Sequence, residues 1–226
     1  SKGRKQYIYN PEWVKASQRE KFERVSDFKY PRFQRVIRGF IKRSDLSKEC
    51  VIANMLKLMV HLNIRVGNQV YLKHNNSVGL TTMMKRHITR DSSTGITLKF
   101  RGKSGVVHTK KVTTSESLQF IRRVCQVDGE FLFYCLTPRK KRIDSEDINQ
   151  FLKEHVQDGI TSKDIRTHTA NRIFTGYISK LPESHSTKEN QANVTRALKH
   201  TASKLGHTTG VCKASYIAPE HISKSK

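Results

Sequence analysis

The spacing of apolar residues divides the chain into helical stretches around one region of alternation. Residues 45–62 predict a helix, with Ile52, Met55, Leu56, Met59 and Val60 at helical spacing; it ends near Asn63, and Arg65 lies just beyond. Two amphipathic segments precede it, separated by Pro31, which disfavours helix at Tyr30 and breaks or bends the run. The period changes between 78 and 112. Ile96, Leu98 and Phe100 alternate with Thr97, Lys99 and Arg101, then Arg101-Gly102-Lys103-Ser104 turns the chain into Val106–Val112. That pattern predicts a β-hairpin with Lys103 at its tip.

Helical spacing then returns, and each start carries a capping signal. Thr113-x-x-Glu116 precedes Leu118, Ile121, Val124 and Cys125 on one face. Asp144-x-x-Asp147 precedes Ile148, Phe151, Leu152 and Val156, and Thr161-x-x-Asp164 precedes Ile165, Ile173, Phe174 and Tyr177. Ser186-x-x-Glu189 opens a helix through Val194, Ala197, Leu198, Thr201 and Leu205, closed by Gly206; a short helix at 210–218 is stopped by Pro219. The class is mainly α with a small antiparallel β-sheet (α+β). Residues 1–19, basic and aromatic, read as an arm or linker, and 20–226 as one domain.

Composition sharpens the picture at one point. Of 226 residues, 43 are Lys or Arg and 19 Asp or Glu, a formal charge of +24 spread from Arg4 to Lys226. A folded body this positive repels itself unless a polyanion neutralises it, and nucleic acid is the foremost candidate. An acidic membrane surface ranks second, but no basic amphipathic stretch stands apart to bind one. The 35% hydrophobic content suffices for a core and argues against a wholly disordered chain. Cys50, Cys125, Cys135 and Cys212 form no C-x-x-C pair, so neither a zinc knuckle nor a disulfide framework is predicted, and a reducing, intracellular setting is expected. No apolar run reaches the roughly 18 residues of a membrane span.

The residues with chemistry sit at element edges: Arg65 after a helix, Lys103 on a hairpin tip, Lys163 and Arg166 at a helix start, His207 after a glycine stop, and Tyr216 nine residues later. Singly, each has a plain structural reading: a cap, a surface charge, a core tyrosine. In this order they resemble the catalytic set of type IB DNA topoisomerases, most closely the compact poxvirus-type branch. The similarity includes Ser1-Lys-Gly-Arg-Lys-Gln-Tyr7-Ile-Tyr9, Ile64-Arg65-Val-Gly-Asn-Gln-Val-Tyr71 with Val78-Gly79-Leu80-Thr81-Thr82, Lys99-Phe-Arg-Gly102-Lys103, Lys163-Asp-Ile-Arg166-Thr, and Leu205-Gly-His207-Thr followed by Lys213-Ala-Ser-Tyr216. Cys212 stands where the family usually has Ser, and Asn68 and Val70 replace the lysines of poxvirus enzymes.

The resemblance implies the type IB topoisomerase and tyrosine recombinase catalytic core, and a reaction that cuts and rejoins one strand of duplex DNA without ATP, metal or other cofactor. Tyr216 would be the nucleophile, Lys103 the general acid, and Arg65, Arg166 and His207 the groups that hold the phosphate, with Lys163 as an auxiliary. Tyr71, Asn68, Arg86, Lys110, Lys140 and Lys213 are candidate DNA contacts. It further implies a monomer that encircles double-stranded DNA together with an N-terminal β-rich domain preceding residue 1, with 205–226 as the nucleophile-bearing segment. The setting would be a viral particle or replication site, or a bacterial cytoplasm. A tyrosine recombinase is the nearest alternative, and a non-catalytic basic DNA-binding protein the second.

Overall fold

The computed structural model describes residues 10–183 and 185–223. Helix α1 (Pro11–Ser26) starts where the Asn10 side chain accepts the Glu12 amide, with Pro11 in the first turn, where its missing N–H costs nothing. The described part of the expected 1–19 linker is therefore helical from residue 11; residues 1–9 lie outside the described chain. Its residues are largely polar and exposed, and only Lys21 and Val25 are buried, both in the second half, which belongs to the first amphipathic segment expected before Pro31.

Helix α2 (Tyr30–Ile41) carries Pro31 in its opening turn, so the break expected at this proline falls just before it. The buried α3 (Lys48–Leu62) is capped by Ser47 and ended by Asn63 in the left-handed conformation. After the short α4 (Gln69–Asn75), strands β1 (Ile88–Ser92), β2 (Gly95–Arg101) and β3 (Val107–Val112) form one antiparallel sheet in that order. The predicted hairpin is β2–β3, in register from Ile96 against Val112 to Arg101 against Val107, with Lys103–Gly105 as its turn.

Helix α5 (Ser115–Cys125) begins two residues after Thr113, with Thr114 rather than Thr113 at the cap position and no side-chain cap bond, and Glu116 pairs with Lys57 of α3. A small ribbon, β4 (Tyr134–Cys135) and β5 (Lys141–Arg142), leads to α6 (Ser145–Phe151), extended by a wider π turn over Leu152–Val156. The capping boxes at Asp144/Asp147 and Thr161/Asp164 form as expected, the second opening α7 (Ser162–Ile178). Ser186 caps α8 (Thr187–Leu205), and Gly206, with φ +68°, closes it. The segment predicted as one helix at 210–218 is α9 (Thr209–Ser215), and Pro219 does more than stop it: it starts α10 (Pro219–Ser223).

The apolar faces gather into two cores. The larger joins α2, α3, α5, α6 and the sheet; the smaller joins Ala170 and Phe174 of α7 to Ala197, Leu198, Ala202 and Leu205 of α8 and to Cys212 and Ile217. Ile165 belongs to the first and Ala170 to the second, so α7 passes between them and Arg166 lies at the changeover. None of the described helices is long and apolar enough to cross a membrane.

Candidate active site

Arg166 is the best-fixed cation of the site. It is buried, and its guanidinium donates from Nη1 to the Asn63 carbonyl at 2.6 Å and from Nη2 to the Leu205 carbonyl at 2.7 Å. Both acceptors lie at helix C-terminal ends, where carbonyls lack helical partners and the dipole is negative. Each end is made by a left-handed residue, Asn63 itself (φ +55°) and Gly206, so the two stops noticed in the sequence are what aim the acceptors. Burial first, then the like charge of Arg65, lowers Arg166 to about 10, which leaves it charged at neutral pH.

Arg65 is set by backbone contact. Its carbonyl accepts the Leu80 amide at 2.9 Å, and the Val66 carbonyl accepts the Thr81 amide at 2.8 Å. Gly67 and Gly79 meet so closely that a Cβ on Gly79 would fall 2.5 Å from the Gly67 Cα. The Val78 amide donates to the Arg101 carbonyl at 2.8 Å, which ties this loop to the end of β2 and so to the turn bearing Lys103. Lys103 itself is exposed, and a narrow cleft that it shares with Arg65, Lys110 and His108 runs beside the hairpin.

Tyr216 caps α9 and packs against the second core. Its ring stacks on His207, centroids 4.6 Å apart, and the Arg166 guanidinium lies 5.8 Å from the ring centre. Burial alone would raise the phenol; the facing charges of Arg166 and Arg65, contact with Arg166 and the charge of Lys103 outweigh it and hold the group below its usual value. His207 is pushed down to about 4 by burial and by Arg166 and Arg65, so its ring is neutral at pH 7. Neither ring nitrogen of His207, nor Nε of Arg166, makes a well-formed hydrogen bond among the described residues. Unpartnered buried polar atoms are rare and costly, and these lie beside the Tyr216 phenol, whose ionised form the neighbouring charges favour.

Five of the residues singled out in the sequence therefore converge: Arg65, Lys103, Arg166, His207 and Tyr216. Lys163 is exposed on the first turn of α7, and its charge acts on Lys21. Lys110 donates to the Lys204 carbonyl at 3.3 Å, joining the hairpin to the end of α8, and lines the cleft. Asn68 caps α4 through a 2.8 Å bond from the Val70 amide, while Tyr71 on that helix is exposed. Lys213 is exposed on α9. Arg86 faces Glu130 at 3.4 Å, and Lys140 lies over the Tyr134 ring and lines a separate cleft with Asp128, so neither joins the cluster around Tyr216. Cys212 is packed into the second core, its thiol raised to about 11 by burial.

Two residues here carry no mark in the sequence. Asn171, buried on α7, donates from Nδ2 to the Tyr216 carbonyl at 2.9 Å and accepts the Ala218 amide at Oδ1 at 2.9 Å, gripping the backbone on both sides of Ile217. His108 fits between two glycines: a Cβ at Gly102 would lie 2.7 Å from its ring, and one at Gly206 2.3 Å. The hairpin and the α8 stop are thereby held in contact beside His207.

Residues 10–226 match the family model of the eukaryotic DNA topoisomerase I catalytic core. The DNA topoisomerase 1B of Acanthamoeba polyphaga mimivirus is 31% identical over 96% of this chain and 68% of its own length. The DNA topoisomerase 1B of vaccinia virus is 32% identical with the same coverage. A solved structure of the XerH site-specific recombinase bound to its difH substrate aligns with a TM-score of 0.46 at 12% identity, over 100% of this chain and 58% of that one. The family match and the viral relatives place the chain among the type IB DNA topoisomerases, as an enzyme of the poxvirus-type branch of that family.

Proposed function

We propose that this chain relaxes duplex DNA by cutting one strand through Tyr216 and rejoining it. The Tyr216 oxygen attacks a backbone phosphorus, the phenolic proton passes to water, and a 3′-phosphotyrosyl bond forms as the bond to the 5′ oxygen breaks. Lys103 gives that oxygen its proton. Rejoining is the reverse: the 5′ hydroxyl attacks, its proton returns to Lys103, and the phenolate is released and reprotonated. The bond energy is kept in the covalent link, so no ATP is consumed.

The observation that carries this reading is the pair of groups without a hydrogen-bond partner among the described residues, Arg166 Nε and the His207 imidazole with its single N–H, beside a half-buried phenol with lowered pKa. Such donors suit the non-bridging oxygens of a phosphate whose charge grows in the transition state. With Arg65 beside them, fixed cations supply charge stabilisation at the phosphate, so we expect the reaction to run in EDTA. The charge of +24 supports a duplex DNA substrate bound chiefly through its phosphates, with affinity falling steeply as salt rises.

The test is relaxation of supercoiled plasmid in EDTA without ATP, comparing this chain with Tyr216→Phe. A ladder of relaxed forms from the first and none from the second supports the proposal. DNA binding without relaxation or a covalent adduct from either chain would return weight to a non-catalytic DNA-binding role.

A further inference from the structure

Helix α1 buries one lysine. Lys21 is 7% exposed in a chain of net charge +24, on a helix that otherwise buries only Val25. An apolar side chain would fill that space at lower cost, since a buried ammonium must be compensated. Its Nζ lies 4.2 Å from the Phe22 ring centre and donates to the Gln18 side chain and to the Ser215 carbonyl, the latter at 2.7 Å. Ser215 is the last residue of α9 and immediately precedes Tyr216. Three turns of fact meet here: the carbonyl lies at a helix C-terminus without a helical partner, the dipole there favours a cation, and the cation comes from a helix 194 residues away in sequence.

Helix α9 has seven residues and buries only Cys212, so by itself it is too short to hold a fixed position. Its far end is held from two helices. Asn171 of α7 takes the Tyr216 carbonyl and the Ala218 amide, and Lys21 of α1 takes the carbonyl before them. The same α1 places Arg24 3.7 Å from Asp164, the buried residue that closes the first turn of α7 two positions before Arg166. Thus α1 spans the start of the helix that carries Arg166 and the end of the helix that carries Tyr216.

We propose that Lys21 is a positioning residue for strand cleavage: its bond to the Ser215 carbonyl holds Tyr216 in register with Arg166, Arg65 and His207. This rests on Tyr216 being the nucleophile. The lysine itself touches no reacting atom. Burial, then the charge of Lys163, lowers it to about 8, so it remains a cationic donor at neutral pH.

The experiment compares the chain with Lys21→Met, which keeps the length and loses the donor, and with Lys21→Arg, which keeps one; Lys21→Gln serves should the Met variant fold poorly. Single-turnover cleavage at saturating duplex DNA is expected to slow about tenfold or more for Met, the loss typical of one charge-assisted bond. DNA affinity should stay within about twofold, hydrogen exchange should quicken over residues 209–218, and Arg should recover most of the rate. Cleavage at the parent rate in Lys21→Met, unchanged exchange in α9, or an Arg variant as slow as Met would each overturn the proposal. Tyr216→Phe run alongside separates the two levels: a covalent adduct from that variant removes the nucleophile assignment, and the positioning role with it, whatever the Lys21 variants do.

Discussion

The imidazole of His207 lies flat on the Tyr216 ring, with centroids 4.6 Å apart and planes 19° from parallel. Stacking leaves both nitrogens on the imidazole edge without a well-formed hydrogen bond among the described residues. A neutral ring offers one N–H there, enough to donate to a phosphate oxygen. His207→Ala is expected to slow single-turnover cleavage by about 10²–10³-fold, the usual effect of removing one such donor. His207→Gln, which retains an N–H, should lose less. DNA affinity measured in parallel should change little for either, because the interaction strengthens as charge develops.

Asn171 uses its carboxamide at both ends, and that makes its substitutions distinguishable. Nδ2 donates to the Thr167 and Tyr216 carbonyls, and Oδ1 accepts the Ala218 amide. Asn171→Ala leaves these groups unpaired at about 1–3 kcal/mol. Asn171→Asp keeps the shape and the acceptor but sets a second oxygen against two carbonyls. The expected order of cleavage rates is Asn, then Ala, then Asp, read by single-turnover assays with thermal melts to follow stability. An Asp variant as active as the parent would show that the grip on the Tyr216 carbonyl does not matter.

Local chemistry places four of the five converging residues at element ends, and it is their order along the chain, with Tyr216 nine residues after His207, that resembles the family's set. A left-handed stop follows α3 and α8, a capping box starts α7, and strict alternation builds the hairpin; these short-range signals fix Arg65, His207, Arg166 and Lys103 at element ends. Asn171 and Lys21 were not legible. Their partners lie 45 and 194 residues away, and nothing in their own segments sets them apart from other polar helix positions. The second half of helix α1 falls in an amphipathic stretch before Pro31, whereas its polar, exposed first half reads as linker. Arg86 and Lys140 look like any surface phosphate contact in sequence; in the fold Arg86 faces Glu130 and Lys140 overlies Tyr134, contacts that local sequence does not signal.

Gly79 is constrained by backbone on every near side. A Cβ there would stand 2.5 Å from both Cα and N of Gly67 and 2.7 Å from the Arg65 carbonyl oxygen, and none of these is the tip of a flexible side chain. Gly79→Ala must therefore push apart the loop that sets Arg65. It should cost about 1–3 kcal/mol, lowering Tm by several degrees, and should also slow cleavage. Gly176→Ala is the contrast: this residue lies inside α7 with nothing within 4 Å of a new Cβ, so the change should be neutral or stabilising by about 0.5–1 kcal/mol. Melts of the two variants separate steric conflict from helix propensity.

Several histidines make the fold sensitive to mild acid: His61, His87 and His108 are held below their ordinary value, and two others further still. His207 and His168 are each lowered to about 4, burial being the main cause in both, with Arg166 and Arg65 acting on the first and Arg172 on the second. Free histidine titrates near 6.5, so between about 6.5 and 4 the unfolded chain binds protons that the folded chain refuses. The contribution to stability is therefore complete above about pH 6.5 and declines as pH falls through that window. His168 stacks on Tyr30 at 4.8 Å and meets Phe28 edge-on at 5.1 Å, and its Nδ1 has no partner. His168→Phe keeps the ring contacts and removes both the titration and the unpaired nitrogen. Melting temperatures at pH 7.5 and pH 5 should differ less for this variant than for the parent; an equal or larger difference would mean that the acid sensitivity arises elsewhere.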